Sequence, residues 1–226
     1  MKTRVFIAAA SIAVGCIALS TIGCSKGQQQ TSGPTVSAPP LANTTGLPLP
    51  DTAVVIDARQ FHQTIDPSQE KGTAVSSLGK GNYNGNEVVA SSTASTDDLN
   101  KWLTTVNPPA GFTRANIPAS VATTVQRYGI SYVVFTSGNS KGATVIVMDP
   151  KTVNAKLGPV LKVLASYNSL PPAMRAGMDS QVKARTGQSI SEMMDKSAPL
   201  GAAIAAVNEF SNSDKRAIIL VTAQKI

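Results

Sequence analysis

The sequence predicts a single α+β domain in which a mainly antiparallel sheet is packed by several helices. Two observations predict this class: β-branched runs stand at both ends of the region, and in its middle two such runs are separated by a short polar turn. Helical stretches lie between them without a regular alternation of strand and helix, which favours helices segregated against a sheet. We place the domain at residues 52–226, a length typical of one domain.

The first part of the domain contains three short runs with strand character. TAVVIDA (52–58) is rich in β-branched residues and is predicted to be a buried strand. TAVSSL (73–78) and EVVASS (87–92) flank a segment rich in Gly and Asn. These two runs are therefore expected to form a hairpin with a turn between them.

Two helices are predicted between residues 95 and 129. Ser95 begins a Ser-Thr-Asp-Asp capping pattern, and residues 107–109 (Asn-Pro-Pro) end that helix. Its apolar residues recur at helical spacing: Leu99, Trp102, Leu103 and Val106. Pro118 opens the second helix, and Gly129 is placed to cap it.

The second half is predicted to begin with a hairpin and to end with a strand. ISYVVFTSG (130–138) and GATVIVMD (142–149) form the hairpin, and AIILVTA (217–223) is the closing strand. Asp149 and Pro150 are a suitable N-cap and first residue for a helix. Three further features complete the helical part: a kink or restart at Gly158-Pro159, a helix ending at Gly187 and a capping box at Ser189–Glu192 before a last helix.

Residues 1–23 have the order of residues found in a secretory signal peptide. Lys2 and Arg4 provide positive charge, residues 5–22 carry no charge, and Gly23 is small. A transmembrane anchor is the alternative, because 18 uncharged residues nearly span a bilayer. The Gly, Ser and Thr content and the lack of a charged stop-transfer cluster after the run favour the signal peptide.

The segment ends in Thr21-Ile22-Gly23-Cys24, which resembles the lipobox of bacterial lipoproteins, although leucine is usual where Thr21 stands. The resemblance implies diacylglyceryl transfer to the Cys24 thiol, cleavage between Gly23 and Cys24 by signal peptidase II, and acylation of the new amino group. A thiolate has the nucleophilicity that this transfer requires. The motif ending at Cys16 also matches but leaves a shorter apolar run, and a plain cysteine in a simple signal or anchor helix is the other alternative.

Residues 24–51 are predicted to be a flexible tether that follows the lipidated cysteine. They are rich in Gln, Ser, Thr, Pro and Gly and have no hydrophobic period. Ser25 stands where an aspartate would resemble an inner-membrane retention mark. The resemblance therefore implies a lipid-anchored protein at the periplasmic face of the cell envelope, in the outer membrane if the cell has one.

The charge and the cysteines exclude several classes of site. After removal of residues 1–23, 18 Lys and Arg remain against 13 Asp and Glu, and the basic residues form no cluster of five or more. This distribution is not that of a nucleic-acid-binding surface. Because Cys16 and Cys24 both precede the domain and His62 is the only histidine, no cysteine-based or multi-histidine metal site is predicted.

Three groups of residues partly match known catalytic or phosphate-binding motifs. A Ser-His-Asp triad would need His62 with Asp57 or Asp66, but the chain has no G-x-S-x-G elbow, and a surface or capping histidine is the simpler interpretation. Ser77 and Lys80 match the S-x-x-K pair of penicillin-binding proteins, without the other motifs of that family. The spaced glycines are interpreted as a hairpin loop, not a phosphate-binding loop: Gly79, Gly81 and Gly85.

The remaining polar and sulfur-containing residues have structural interpretations. Asp97 and Asp98 lie in a first helical turn, where carboxylates complement the helix dipole. The methionines at helical spacing are typical of a core but could also line an adaptable groove: Met174, Met178, Met193 and Met194. The sequence therefore predicts neither catalytic residues nor a cofactor.

The function expected from the sequence is that of a lipid-anchored envelope protein. We expect a non-enzymatic domain that acts through contacts with an envelope protein partner or within an assembly. The alternatives are a small-ligand-binding domain with a cleft between the sheet and the Met-bearing helices, and an envelope hydrolase.

Overall fold

A six-stranded sheet and the helices packed on it make up the part of the chain that the computed structural model describes, residues 42–65, 80–167, 170–186, 189–190 and 205–226. The strands are β1 (Ala53–Ile65), β2 (Gly81–Ser92), β3 (Thr113–Arg114), β4 (Ile130–Ser137), β5 (Lys141–Met148) and β6 (Arg216–Lys225). The helices are α1 (Thr96–Thr105), α2 (Ala119–Gln126), α3 (Pro150–Tyr167) and α4 (Pro172–Thr186), and residues 205–210 are also helical. The predicted α+β class is confirmed.

The strands lie in the order β1-β2-β6-β5-β4-β3, and every neighbouring pair is antiparallel. The last strand of the chain, β6, lies between β2 and β5. Residues 217–221 of β6 are all buried, because their side chains pack on both faces of the sheet. A continuous apolar run is typical of a strand covered on both faces.

Each face of the sheet carries its own apolar core. The first core packs β-sheet residues against α3, the end of α2 and residues 205–210; its members include Val89, Ile219, Val153, Leu157, Val207 and Phe210. The second core packs the other face against α1 and the segment before β1; its members include Val88, Leu220, Val145, Leu99, Leu103 and Leu47.

The segment before β1 is part of the folded domain. Asn43 donates from Nδ2 to the Leu47 carbonyl at 2.6 Å, and its Oδ1 accepts from the Thr45 backbone N–H and hydroxyl. Gly46 completes this turn with φ of 68°, and Leu47 is 2 % exposed in the second core. The expectation that residues 24–51 form a tether along their whole length is therefore wrong at its end, because an apolar side chain there covers the sheet.

Two expectations for the first strands are wrong. β1 is an edge strand and extends to Ile65, so TAVVIDA is not fully buried, and Val54 is 64 % exposed. The Gly/Asn-rich segment is not a turn: residues 81–86 pair with residues 60–65 of β1 and form the first half of β2. Cross-strand hydrogen bonds to β1 and β6 stabilise this segment as a strand despite its composition.

Most other elements were predicted correctly. The Ser95 hydroxyl accepts from the Asp98 N–H at 3.1 Å at the start of α1, and β4 and β5 form the expected hairpin. At the start of α3, Asp149 accepts from the Thr152 backbone N–H at 3.5 Å and from the Thr152 hydroxyl at 2.8 Å, and α3 continues through Pro159 without restarting. Residues 73–78 and 191–204, with most of the second capping box and of the last predicted helix, lie outside the described residues.

Among the described residues, no helix has the length and apolar character needed to cross a membrane. The predicted signal peptide and lipobox, in residues 1–24, lie outside them.

Candidate ligand-binding groove

A groove of about 890 Å³ lies on the sheet face that carries the second core. Three neighbouring strands, β1, β2 and β6, form its floor, and β5 contributes Lys141. Its wall comes from the chain segments that pack on the same face and includes Thr45, Pro109 and Phe112. Its size falls in the range of about 300–1,000 Å³ that is usual for small-molecule sites.

Strand register positions the polar side chains of the floor. Gln60 pairs with Asn86, and Asn86 pairs with Thr222, so these three side chains stand side by side on one face. The next row on that face, two residues along each strand, is His62, Asn84, Gln224 and Lys141. Neighbouring strands are about 4.8 Å apart and successive same-face residues about 6.8 Å, so the two rows form a regular array of polar groups.

The opposite face of the same strands is apolar. Phe61, Gly85 and Ala223 occupy the row between the two polar rows and face the first core. A Cβ at Gly85 would overlap the Phe61 ring and the Thr222 carbonyl, so glycine is required there by the close approach of the ring. The groove floor is thus supported from behind by packed side chains.

Most polar groups of the floor have no hydrogen-bond partner among the described residues. His62 Nδ1 and Asn84 Oδ1 lie 2.8 Å apart. The side chains of Gln60, Asn86, Thr222 and Gln224 make no hydrogen bond in the described part of the chain, and Gln60 and Gln224 are exposed. Their amide and hydroxyl groups are therefore available to a ligand.

The groove wall is partly apolar and is held by the fold. The Phe112 ring is half-buried and packs against the second core, and its N–H donates to the Pro109 carbonyl at 2.9 Å. The Thr45 hydroxyl is fixed by Asn43 at 2.7 Å. Lys141 is the single side-chain cation among the residues that line the groove in the described structure.

A buried acid lies on the other face, next to this floor. Glu87 follows Asn86 in β2 and is 1 % exposed. Its Oε1 accepts from Arg59 Nε at 2.6 Å, and its Oε2 has no partner among the described residues. Burial raises the pKa of Glu87 to about 7, against the opposing charge and hydrogen bond of Arg59. Because Glu87 does not face the groove, it cannot contact a ligand there.

Asp57 and His62, which a Ser-His-Asp triad would need, do not come together in the structure. From Asp57 onward β1 pairs regularly with β2, so Asp57 and His62 lie on opposite faces of the strand. His62 is exposed, which agrees with the interpretation as a surface histidine. Asp66 and Ser77 lie outside the described residues, and Lys80 is exposed just before β2.

The spaced glycines, the two aspartates of α1 and the methionines lie outside any catalytic arrangement among the described residues. Gly81 and Gly85 lie in β2, so the hairpin-loop interpretation is wrong for them, while Gly79 is outside the described residues. Asp97 and Asp98 lie in the first turn of α1, as expected. Met174 is 56 % exposed, which contradicts a core position, Met178 is half-buried, and Met193 and Met194 are not described.

The cleft predicted beside the Met-bearing helices is not where the groove lies, since α4 contributes no residue to it. Nor do the described residues include a group of three or more His, Cys, Asp or Glu side chains that could hold a metal ion. The sequence feature that indicates the observed groove is an alternation of polar and non-polar residues: polar residues stand on both sides of Phe61 in β1 and of Gly85 in β2.

No family model, curated protein or solved structure matches the chain.

Proposed function

We propose that this protein is a lipoprotein of the bacterial cell envelope whose folded domain binds a ligand without chemical conversion. Acyl chains on Cys24 would hold it to membrane lipid. The observation that carries the binding function is a set of groove side chains that have no hydrogen-bond partner among the described residues, on a floor backed by the first core: Gln60, Asn86, Thr222 and Gln224. Their convergence favours the ligand-binding alternative over a role limited to protein assembly.

The position of the first described residues supports an arrangement close to the membrane. The Asn43 turn begins the described packing, and Asn43 follows Cys24 by 19 positions. A flexible segment of that length spans roughly 25 Å on average. The groove would then remain within a short distance of the lipid surface, at the periplasmic side and in the outer membrane if the cell has one.

The anchor is tested by metabolic labelling with radioactive palmitate in a bacterial host. The full chain should incorporate label and lose residues 1–23, and an inhibitor of signal peptidase II should block that cleavage. Cys24→Ser should abolish both the label and the cleavage, since serine does not form the thioether that precedes it.

Cys16→Ser is the matched control, because the same substitution is made eight positions earlier in the same segment. It should be labelled and cleaved like the unchanged chain. Label retained by Cys24→Ser, or lost only in Cys16→Ser, would refute the assignment of the anchor to Cys24.

A further inference from the structure

The chemical groups that line the groove indicate which class of ligand it binds. We infer that the groove binds a neutral saccharide of more than one sugar ring, in contact with Asn86, Thr222 and Gln224. This inference rests on the proposed ligand-binding function.

The floor offers both donors and acceptors at close intervals. Each Asn or Gln amide can donate and accept at the same time, and the Thr222 hydroxyl can do either. A sugar carries adjacent hydroxyls that also donate and accept, so a planar amide can bind two of them at once. Two rows of such groups, spaced by about 4.8 Å across the strands, match a ligand with hydroxyls along its whole edge.

His62 adds an acceptor to this array. Its Nδ1 lies 2.8 Å from Asn84 Oδ1, which can only accept, so this pair forms a hydrogen bond in the tautomer with the proton on Nδ1. The other ring nitrogen, Nε2, is then free to accept a hydrogen bond. It can receive a sugar hydroxyl proton beside Gln224, the neighbour of Asn84 on β6.

The wall is suited to the other side of a sugar ring. Pyranose rings have polar edges and apolar C–H faces. Phe112 and Pro109 place apolar surface against the polar floor, and the exposed side chain of Ile226 lines the groove as well. A ligand with both kinds of surface can therefore contact the floor and the wall together.

Charge and size select among polar ligands. Lys141 is the one Lys or Arg, and no Asp or Glu side chain is present, among the described residues that line the groove. A polyanion would gain little from one lysine, whereas a neutral ligand needs no countercharge. A volume of about 890 Å³, near the upper end of the range for small-ligand sites, accommodates an oligosaccharide.

The test is isothermal titration calorimetry with the full chain in detergent. The probes are two neutral tetrasaccharides, of N-acetylglucosamine and of α-1,4-linked glucose, an anionic tetragalacturonate, and a tetra-alanine peptide with blocked ends. At least one neutral tetrasaccharide should bind more tightly than the other two classes. Asn86→Ala and Gln224→Ala should each weaken it about fivefold to tenfold, the effect of one lost hydrogen bond.

Gln181→Ala is the matched control, since Gln181 is an exposed amide on α4 outside the groove. It should leave the affinity unchanged, and all three variants should keep the circular dichroism spectrum of the unchanged chain. Tighter binding of tetragalacturonate that Lys141→Met removes, or no binding of either neutral sugar, would overturn the saccharide inference. Binding of the peptide that Asn86→Ala weakens would also overturn it, but would leave the proposed ligand-binding function standing.

Discussion

Glu87 makes the stability of this domain depend on pH in a direction that the structure fixes. Its carboxyl is buried against the first core, and burial raises its pKa from the ordinary 4.5 to about 7. Between these values the folded protein holds a proton that the unfolded chain has released. The contribution of Glu87 to the free energy of unfolding is therefore highest below pH 4.5, decreases as the pH rises towards 7, and is level above that.

The magnitude follows from the interval between the two pKa values. At about 1.4 kcal/mol per pKa unit, ionising the buried carboxyl costs about 3 kcal/mol of stability at pH 8. Glutamine in its place stays neutral and keeps an oxygen that can accept from Arg59. Its NH₂ would replace Oε2, which has no partner among the described residues, and a buried donor without an acceptor reduces the gain in stability. We therefore expect Glu87→Gln to be about 1–3 kcal/mol more stable than the unchanged chain at pH 8.

Urea denaturation at several pH values, followed by the fluorescence of Trp102, measures this difference. The unchanged chain should lose stability from pH 4.5 to 7, while Glu87→Gln should lose little of it in that window. Glu209→Gln is the control, since it makes the same substitution at an exposed glutamate in the helical residues 205–210 and should keep the slope. If the free energy of unfolding decreased equally with pH in Glu87→Gln and in the unchanged chain, the assignment of this pH dependence to Glu87 would be refuted.

Two other substitutions test the packing of the segment before β1 and the N-terminal cap of α1. Leu47→Ala should lower the free energy of unfolding by about 2–4 kcal/mol in urea denaturation, because Leu47 is 2 % exposed in the second core. Thr44→Ala, at an exposed neighbour, should change it little, and equal effects of the two would contradict the packing of this segment. Ser95→Ala should cost about 1 kcal/mol through loss of the bond to the Asp98 N–H, whereas no loss would show that the cap does not stabilise α1.

The elements that were predicted correctly are those whose signals are local. Ser95 accepts from an N–H three residues ahead, and the apolar stripe of α1 can be identified within ten residues. The β4–β5 hairpin has two long β-branched runs and a short turn between them, so strand pairing and sequence order coincide. Such features need no information about the rest of the chain.

Elements that depend on distant partners were missed. Residues 81–86 have the composition of a turn, yet they form a strand because β1 and β6 pair with them from both sides. The position of β6 between β2 and β5 also depends on tertiary packing, although its uninterrupted apolar run indicated burial on both faces. The groove was missed for the same reason, since its rows exist only when β1, β2 and β6 are in register.

The same register links the groove to the core. Phe61 packs over Gly85 on one face, and Gln60 and Asn86 stand beside that pair on the other. Because these strands are fixed by the hydrogen-bond ladders between them and by packed side chains behind, the backbone that carries the polar groups is ordered before a ligand arrives. Binding then costs little backbone ordering, although a ligand must still order the exposed side chains of Gln60 and Gln224. A site on this floor should therefore gain its specificity from the fixed spacing of its strands, which suits a ligand with many similar hydroxyl groups.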